Sequence, residues 1–252
     1  MVDEERLVGA DRVLALLVEL AGHPGGATLE ELAAAMGGSK STIHRALGSL
    51  VRSGLADQSG RGRYVLGDEF VRLAFRHHAA RPETERIEPV LRELAERFGE
   101  TAHYGVLDGH DIVYRAKVDP AAGAVRLTSM VGGRNPAATT AVGKVLLSGL
   151  LRTEADVVAW LDGATIEART PHTITTAAGL AAELERTRER GYGVDDQENE
   201  LGVNCFAVPV HLDGSPAPTG AISVSGLAFR TPLARLEAAY AEISALVDGL
   251  AQ

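Results

Sequence analysis

Thr28 to Leu55 constrains this chain more than any other stretch. Thr28 and Glu31 have capping-box spacing ahead of Leu29, Leu32 and Met36, which predicts a short helix. Gly37 and Gly38 suit a tight turn after it. Beyond the turn, Ile43, Leu47, Leu50 and Val51 recur as one apolar stripe of a second helix that ends near Gly54. At about 100° per residue, the opposite side carries Ser41, Arg45, Ser49 and Arg52, a narrow, polar and basic face. Such a unit is a helix-turn-helix whose second helix can enter a DNA major groove.

Ala56 to Leu66 then offers two short extended runs around a turn at Ser59 to Gly62, the shape of a wing with Arg61 and Arg63 placed for phosphates. Residues 39–81 hold eight Lys and Arg side chains against Asp57, Asp68 and Glu69, in a chain whose net charge is −9. Phosphate attraction requires a basic island of this kind, and general solubility does not. An aromatic content of 4% argues against a base-stacking platform for single strands, leaving the duplex as the expected partner. The candidate DNA contacts are Ser39, Lys40, Ser41, Thr42, His44 and Arg45, followed by Arg52, Arg61 and Arg63.

With 252 residues the chain has room for two domains, each with its own core. Cys205 is the sole cysteine, which excludes an intrachain disulfide and a four-cysteine zinc module. No apolar run approaches the ~18 residues of a membrane span, and the N-terminus is acidic where a signal peptide is basic. A cytoplasmic protein without a membrane partner is expected.

A supporting helix over Asp11 to Ala21 precedes the helix-turn-helix. Further helices are predicted over Asp68 to His78 and Thr84 to Phe98, with the domain boundary near Arg81. The expected division is a winged helix-turn-helix domain over 1–80, a linker helix over 81–98, and a ligand-binding and oligomerisation domain over 99–252. From Glu100 the texture changes. Thr101 to Leu107 and Asp111 to Val118 flank Asp108 and Gly109 as a hairpin, and Ala124 to Met130 reads as a third strand before a turn at Gly132 to Pro136. Helices over Ala137 to Leu150, Thr153 to Leu161 and Ala177 to Arg190 follow. Strands over Tyr192 to Asp195, Asn204 to Leu212 and Gly220 to Leu227 lead to a closing helix, Pro232 to Leu250. Strands and helices mixed without regular alternation predict an α+β fold, an antiparallel sheet with helices on its faces.

Catalytic patterns are weak. Gly143-Lys144 fails the phosphate-loop pattern at Ala138 and Val145. Cys205 would be the nucleophile of a cysteine-dependent hydrolase if His172 or His211 approached it, but its apolar setting, NCFAVPV, favours an inert thiol. Asp195 and Asp196 are adjacent in a strand and point to opposite faces. His77 and His78 read as an exposed helix end, so neither a metal nor a cofactor is expected. A binding pocket suits these residues better: alternation sets Ser223 with Ser225, and Cys205 with Ala207. If those faces coincide, hydroxyls, a thiol and one aspartate line a small polar cavity for an oxygen-rich metabolite.

GGSKSTIHRALGSLVRSGLADQSGRGRYVLG resembles the winged DNA-binding segment of the isocitrate lyase regulator (IclR) family of bacterial transcription factors. GGRNPAATTAVGK, TPHTIT, RERGYGVDDQENELGVNC and GAISVSG are similar, in order and spacing, to signature segments of that family's GAF-like effector domain. The resemblance implies a transcriptional regulator rather than an enzyme, controlled by a small organic acid or related catabolite. It implies effector contacts at Ala141, Val142, Asp195, Cys205, Ser223 and Ser225, with Leu127 and Val203 as apolar walls. Ala141 and Val142 are bulkier than the pair in some members, which is expected to narrow the pocket. Because one recognition helix gives limited affinity, a homodimer on a pseudo-palindromic operator is implied, and the resemblance extends this to a homotetramer.

Overall fold

The computed structural model describes residues 9–60, 62–79, 82–120, 127–212, 214–215 and 217–251, except for the side chains of residues 77–79, 82 and 251. Arg61 and the side chains of His77 and His78 therefore lie outside the described residues. The chain divides between Arg81 and Pro82 into two compact units.

The first unit comprises α1 (Gly9–Ala21), β1 (Ala27–Thr28), α2 (Leu29–Ala35), α3 (Lys40–Arg52), β2 (Ala56–Ser59), β3 (Arg63–Leu66) and α4 (Asp68–Ala79). The capping box forms as spaced: the Thr28 hydroxyl accepts from the Glu31 amide at 3.2 Å, and the Glu31 carboxylate accepts from the Thr28 amide at 2.7 Å. A cap of this kind contributes about 1 kcal/mol. Ile43, Leu47 and Leu50 of α3 are buried with Leu16, Leu20 and Leu32. Val51 departs from the expected stripe and is 39% exposed, because one residue beyond Leu50 is about 100° further round the helix. The three strands pair antiparallel in the order β1-β3-β2, and Ser59 opposite Arg63 closes the wing.

The second unit begins with α5 (Pro82–Phe98), β4 (Thr101–Asp108), β5 (Asp111–Val118) and β6 (Arg134–Pro136). It continues through α6 (Ala141–Leu150), α7 (Glu154–Leu161), α8 (Ala177–Arg190), β7 (Gly193–Asp196), β8 (Val203–Val210) and β9 (Gly220–Leu227). It ends with α9 (Leu233–Ala238) and α10 (Tyr240–Asp248). All strands join one antiparallel sheet in the order β6-β5-β4-β9-β8-β7, so the α+β reading holds. One face packs on α5, α9 and α10 through Leu91, Leu94, Phe206, Ile222, Leu236 and Ile243. The other packs on α6, α7 and α8 through Ala207, Ala221, Leu147, Val157 and Leu184. The helix read as a linker thus places its apolar stripe, Ile87 to Phe98, in the core of this unit.

Three local expectations change. The strand expected over 124–130 lies partly outside the described residues, and its described part, Leu127–Met130, is not a strand. The edge strand forms instead at Arg134–Pro136, where Pro136, lacking an N–H, is tolerated beside solvent. The helix expected from Ala137 breaks at Thr140, whose extended backbone and hydroxyl, accepting from the Gly143 amide at 3.1 Å, start α6 afresh. The closing helix likewise divides at Ala239. Among the described residues no helix is long and apolar enough to cross a membrane.

Candidate functional site

The outer side of α3 carries His44 and Arg45, both exposed, whose side chains have no hydrogen-bond or ion-pair partner among the described residues. Ser39 caps the helix, its hydroxyl accepting from the Thr42 amide at 3.3 Å and lying 3.0 and 2.9 Å from the Ser41 and Thr42 hydroxyls. Lys40 donates to Glu30 at 2.5 Å, which holds that carboxyl below its ordinary range. Arg52 donates to the Ser49 hydroxyl at 3.1 Å. Arg63 has partners within the unit. Thr28 opposite Arg63 in the β1–β3 register brings the guanidinium to the Gly26 carbonyl at 2.7 Å and to Glu31 at 3.2 Å. It fastens the wing to the start of α2 while its side chain stays 38% exposed.

In the second unit the alternating faces coincide. Asp195 lies opposite Cys205, and Cys205 opposite Ser225, so three strands deliver a carboxyl, a thiol and a hydroxyl in one row; Ala207 and Ser223 form the next. Over the first row lies a cavity of about 250 Å³. Leu127, Asp195, Val203, Cys205 and Ser225 line it, as do His103, Tyr114, Ser129, Arg169 and Asn199, which sequence reasoning missed. His103 faces the cavity because it stands opposite Ser223 in the β4–β9 register, which the sequence does not state. Tyr114 gave no signal either. Tyr104 pairs with Ala116 but Gly105 pairs with Tyr114, so a bulge at Arg115 reverses the facing of β5 and turns Tyr114 toward the cavity.

Three expected contacts do not line the cavity. Ser223 is buried one pair further along, between Ala207 and His103. Ala141 and Val142 belong to helix–sheet packing. The first turn of α6 sits so close to the sheet that a Cβ at Gly193 would collide with the Ala141 carbonyl and one at Gly105 would press on Val142. Their side chains fill that contact and do not line the cavity.

Burial governs the electrostatics. Asp195 accepts from the amides of Glu198 and Asn199 at 2.7 and 3.2 Å, yet desolvation lifts its carboxyl to about 7. Burial, with Asp195 alongside, pushes the Cys205 thiol well up. Burial and nearby Lys117 lower His103 to about 3, so the ring is neutral. Its Nε2 is 2.8 Å from the Ser129 hydroxyl, and its ring stacks on Tyr114 with centroids 4.5 Å apart. Lys117 donates to the carbonyls of Leu127 and Ser129 at 3.0 and 2.7 Å, holding that part of the cavity lining. A hydrolase gains no support here. The thiol is held protonated, His211 bonds the Ser215 carbonyl at 3.1 Å, and His172 is exposed. Among the described residues no group of three or more His, Cys, Asp and Glu side chains could hold a metal ion.

A winged helix-turn-helix followed by an α+β domain with a small polar cavity has the build of a transcriptional regulator. Residues 9–60 match the IclR helix-turn-helix domain, and residues 82–250 match the bacterial transcriptional regulator IclR C-terminal domain. The chain is 37% identical to the HTH-type transcriptional regulator XynR of Escherichia coli over 82% of its own length and 81% of that protein's. With the transcriptional repressor IclR of the same organism it shares 32% identity over 85% and 78% of the two lengths. The crystal structure of the Thermotoga maritima IclR superposes with a TM-score of 0.73 at 27% identity, covering 95% of this chain and 94% of that one. The chain belongs to the IclR family of bacterial transcriptional regulators.

Proposed function

We propose that α3 reads a duplex operator and that a small organic acid or related catabolite, held in the cavity of the second unit, controls that binding. The observation that carries this reading is the row Asp195, Cys205, Ser225 beneath a cavity of about 250 Å³, too small for anything but a small ligand. A cavity of that size suits a molecule of a few carbons. Arg169 in the wall, held at Nε by the Asn199 carbonyl at 3.0 Å, supplies a cation for an acid. On the first unit, unpartnered Arg45 and His44 are available to base edges, while Ser39, Ser41 and Thr42 offer hydroxyls to phosphates.

A single recognition helix contacts too few base pairs for a specific site. A homodimer on a pseudo-palindromic operator, or a tetramer of such pairs, working in the cytoplasm, completes the proposal. Mobility shifts on genomic fragments, with and without fractionated metabolites, test it. Asp195→Ala or Ser225→Ala should keep operator affinity and lose the response to the active fraction. No preference for any genomic fragment over random duplex would end the DNA reading, and an unchanged response in both variants would end the cavity assignment.

A further inference from the structure

Lys144 is fully buried on α6, and Glu198 is 6% exposed. The ammonium donates to the Glu198 carboxylate and to the Val194 carbonyl, the latter at 3.0 Å. Neither side chain lines the cavity. A buried ion pair is a poor source of stability, because desolvation offsets the attraction, and Glu198 Oε2 has no hydrogen-bond partner among the described residues. What the pair touches gives it a different purpose.

Asp195 and Asn199 line the cavity, and the stretch 194–199 that carries them is held from several sides. The Thr170 and Thr173 hydroxyls donate to the carbonyls of Gln197 and Glu198, each at 2.7 Å, and Arg169 donates to the Asn199 carbonyl at 3.0 Å. The Glu198 and Asn199 amides donate back to Asp195. Gln197 adopts a φ of +60°, a left-handed conformation that a non-glycine residue keeps only where its surroundings enforce it. Lys144 is the side chain that reaches this wall from α6, the helix seated directly on the sheet.

We propose that Lys144 is a positioning residue of the ligand cavity: through Glu198 and the Val194 carbonyl it pins residues 194–199 to α6 and so fixes where Asp195 stands in the floor. The proposal rests on the cavity reading above. It predicts a local effect, since loss of the pin frees the wall while the sheet beneath stays paired.

Cys205 is the sole cysteine and lies in the cavity beside Asp195, so its alkylation reports on the wall without any ligand. The full chain is treated with iodoacetamide at about pH 8, and backbone amide exchange is followed in parallel. In Lys144→Met/Glu198→Leu, which keeps the packing volume, Cys205 alkylation and Asn199 amide exchange should each rise about tenfold, with exchange in β4 and β9 unchanged. Glu198→Gln retains a carbonyl oxygen for Lys144 and should stay within about threefold of the parent. Parental rates in the double variant would overturn the proposal. So would equal acceleration across β4 and β9, or failure of the double variant to fold, since either would make the pair a support of the core as a whole. Because no ligand enters the experiment, its failure is distinct from failure of the cavity reading, which the operator assay decides.

Discussion

Arg45 and Lys144 are helical cations with opposite fates. Arg45 stands exposed on α3, its guanidinium without a partner among the described residues, on a helix that buries one stripe and leaves the other side to water. Lys144 is fully buried on a helix whose residues from Ala141 to Ser148 are all covered, and it is bonded to a carboxylate and a carbonyl. The difference teaches where each charge can act. An exposed cation reaches a distant partner through a field that salt screens, whereas a buried one acts only on the atoms it touches. Arg45 is placed to meet a partner, and Lys144 to hold its own unit in shape.

Several substitutions test that division. The largest effect should come from Leu47→Ala, which empties a fully buried site beneath the exposed face of α3: about 2–5 kcal/mol of stability, read by urea unfolding, with operator binding lost alongside. Arg45→Ala should leave unfolding unchanged and weaken operator binding by about 1–3 kcal/mol, read by titration calorimetry. The salt dependence of binding should become shallower as well if Arg45 meets a phosphate. A loss of stability equal to the loss of affinity would break the comparison, since Arg45 would then be structural.

The second unit should respond to pH. Asp195, lifted to about 7 from an ordinary 3.8, keeps a proton in the folded chain that the unfolded chain releases, so stability falls as pH rises from about 4 to 7. His103, lowered to about 3 from 6.5, refuses a proton that the unfolded chain accepts, so stability falls as pH drops through that window. Asp195→Asn should therefore move the optimum of the urea midpoint to higher pH, and His103→Gln to lower pH. Shifts of the same sign would show that the two groups do not titrate as their burial requires. The smallest effect belongs to Lys40→Met. Its pair with Glu30 is 60% and 66% exposed, so water screens it and the urea midpoint should not move detectably.

Much of the first unit was legible because its determinants are close in sequence. Thr28 finds Glu31 three residues away, and Ile43, Leu47 and Leu50 share a side of one helix whatever surrounds it. In the second unit, alternation placed Cys205 with Ala207 and Ser223 with Ser225, and the observed register joined the two pairs as expected. Illegible features depend on a partner strand or helix. Arg63 is tied to the Gly26 carbonyl because Thr28 lies across from it, and Ala141 and Val142 are consumed by packing because two glycines let α6 settle onto the sheet. The burial that suspends Asp195 near neutrality and His103 far below it has no counterpart in residue type.

From the order of residues alone come the basic recognition helix with its cap and wing, the mixed antiparallel domain and the family to which both belong. These follow from periodicities of about 3.6 and 2 residues and from hydrogen bonds between near neighbours. The cavity wall came only with the tertiary structure. A bulge in β5, the register of β7, β8 and β9, and a lysine reaching across from α6 join groups far apart in the chain, and no local rule states which of them will meet.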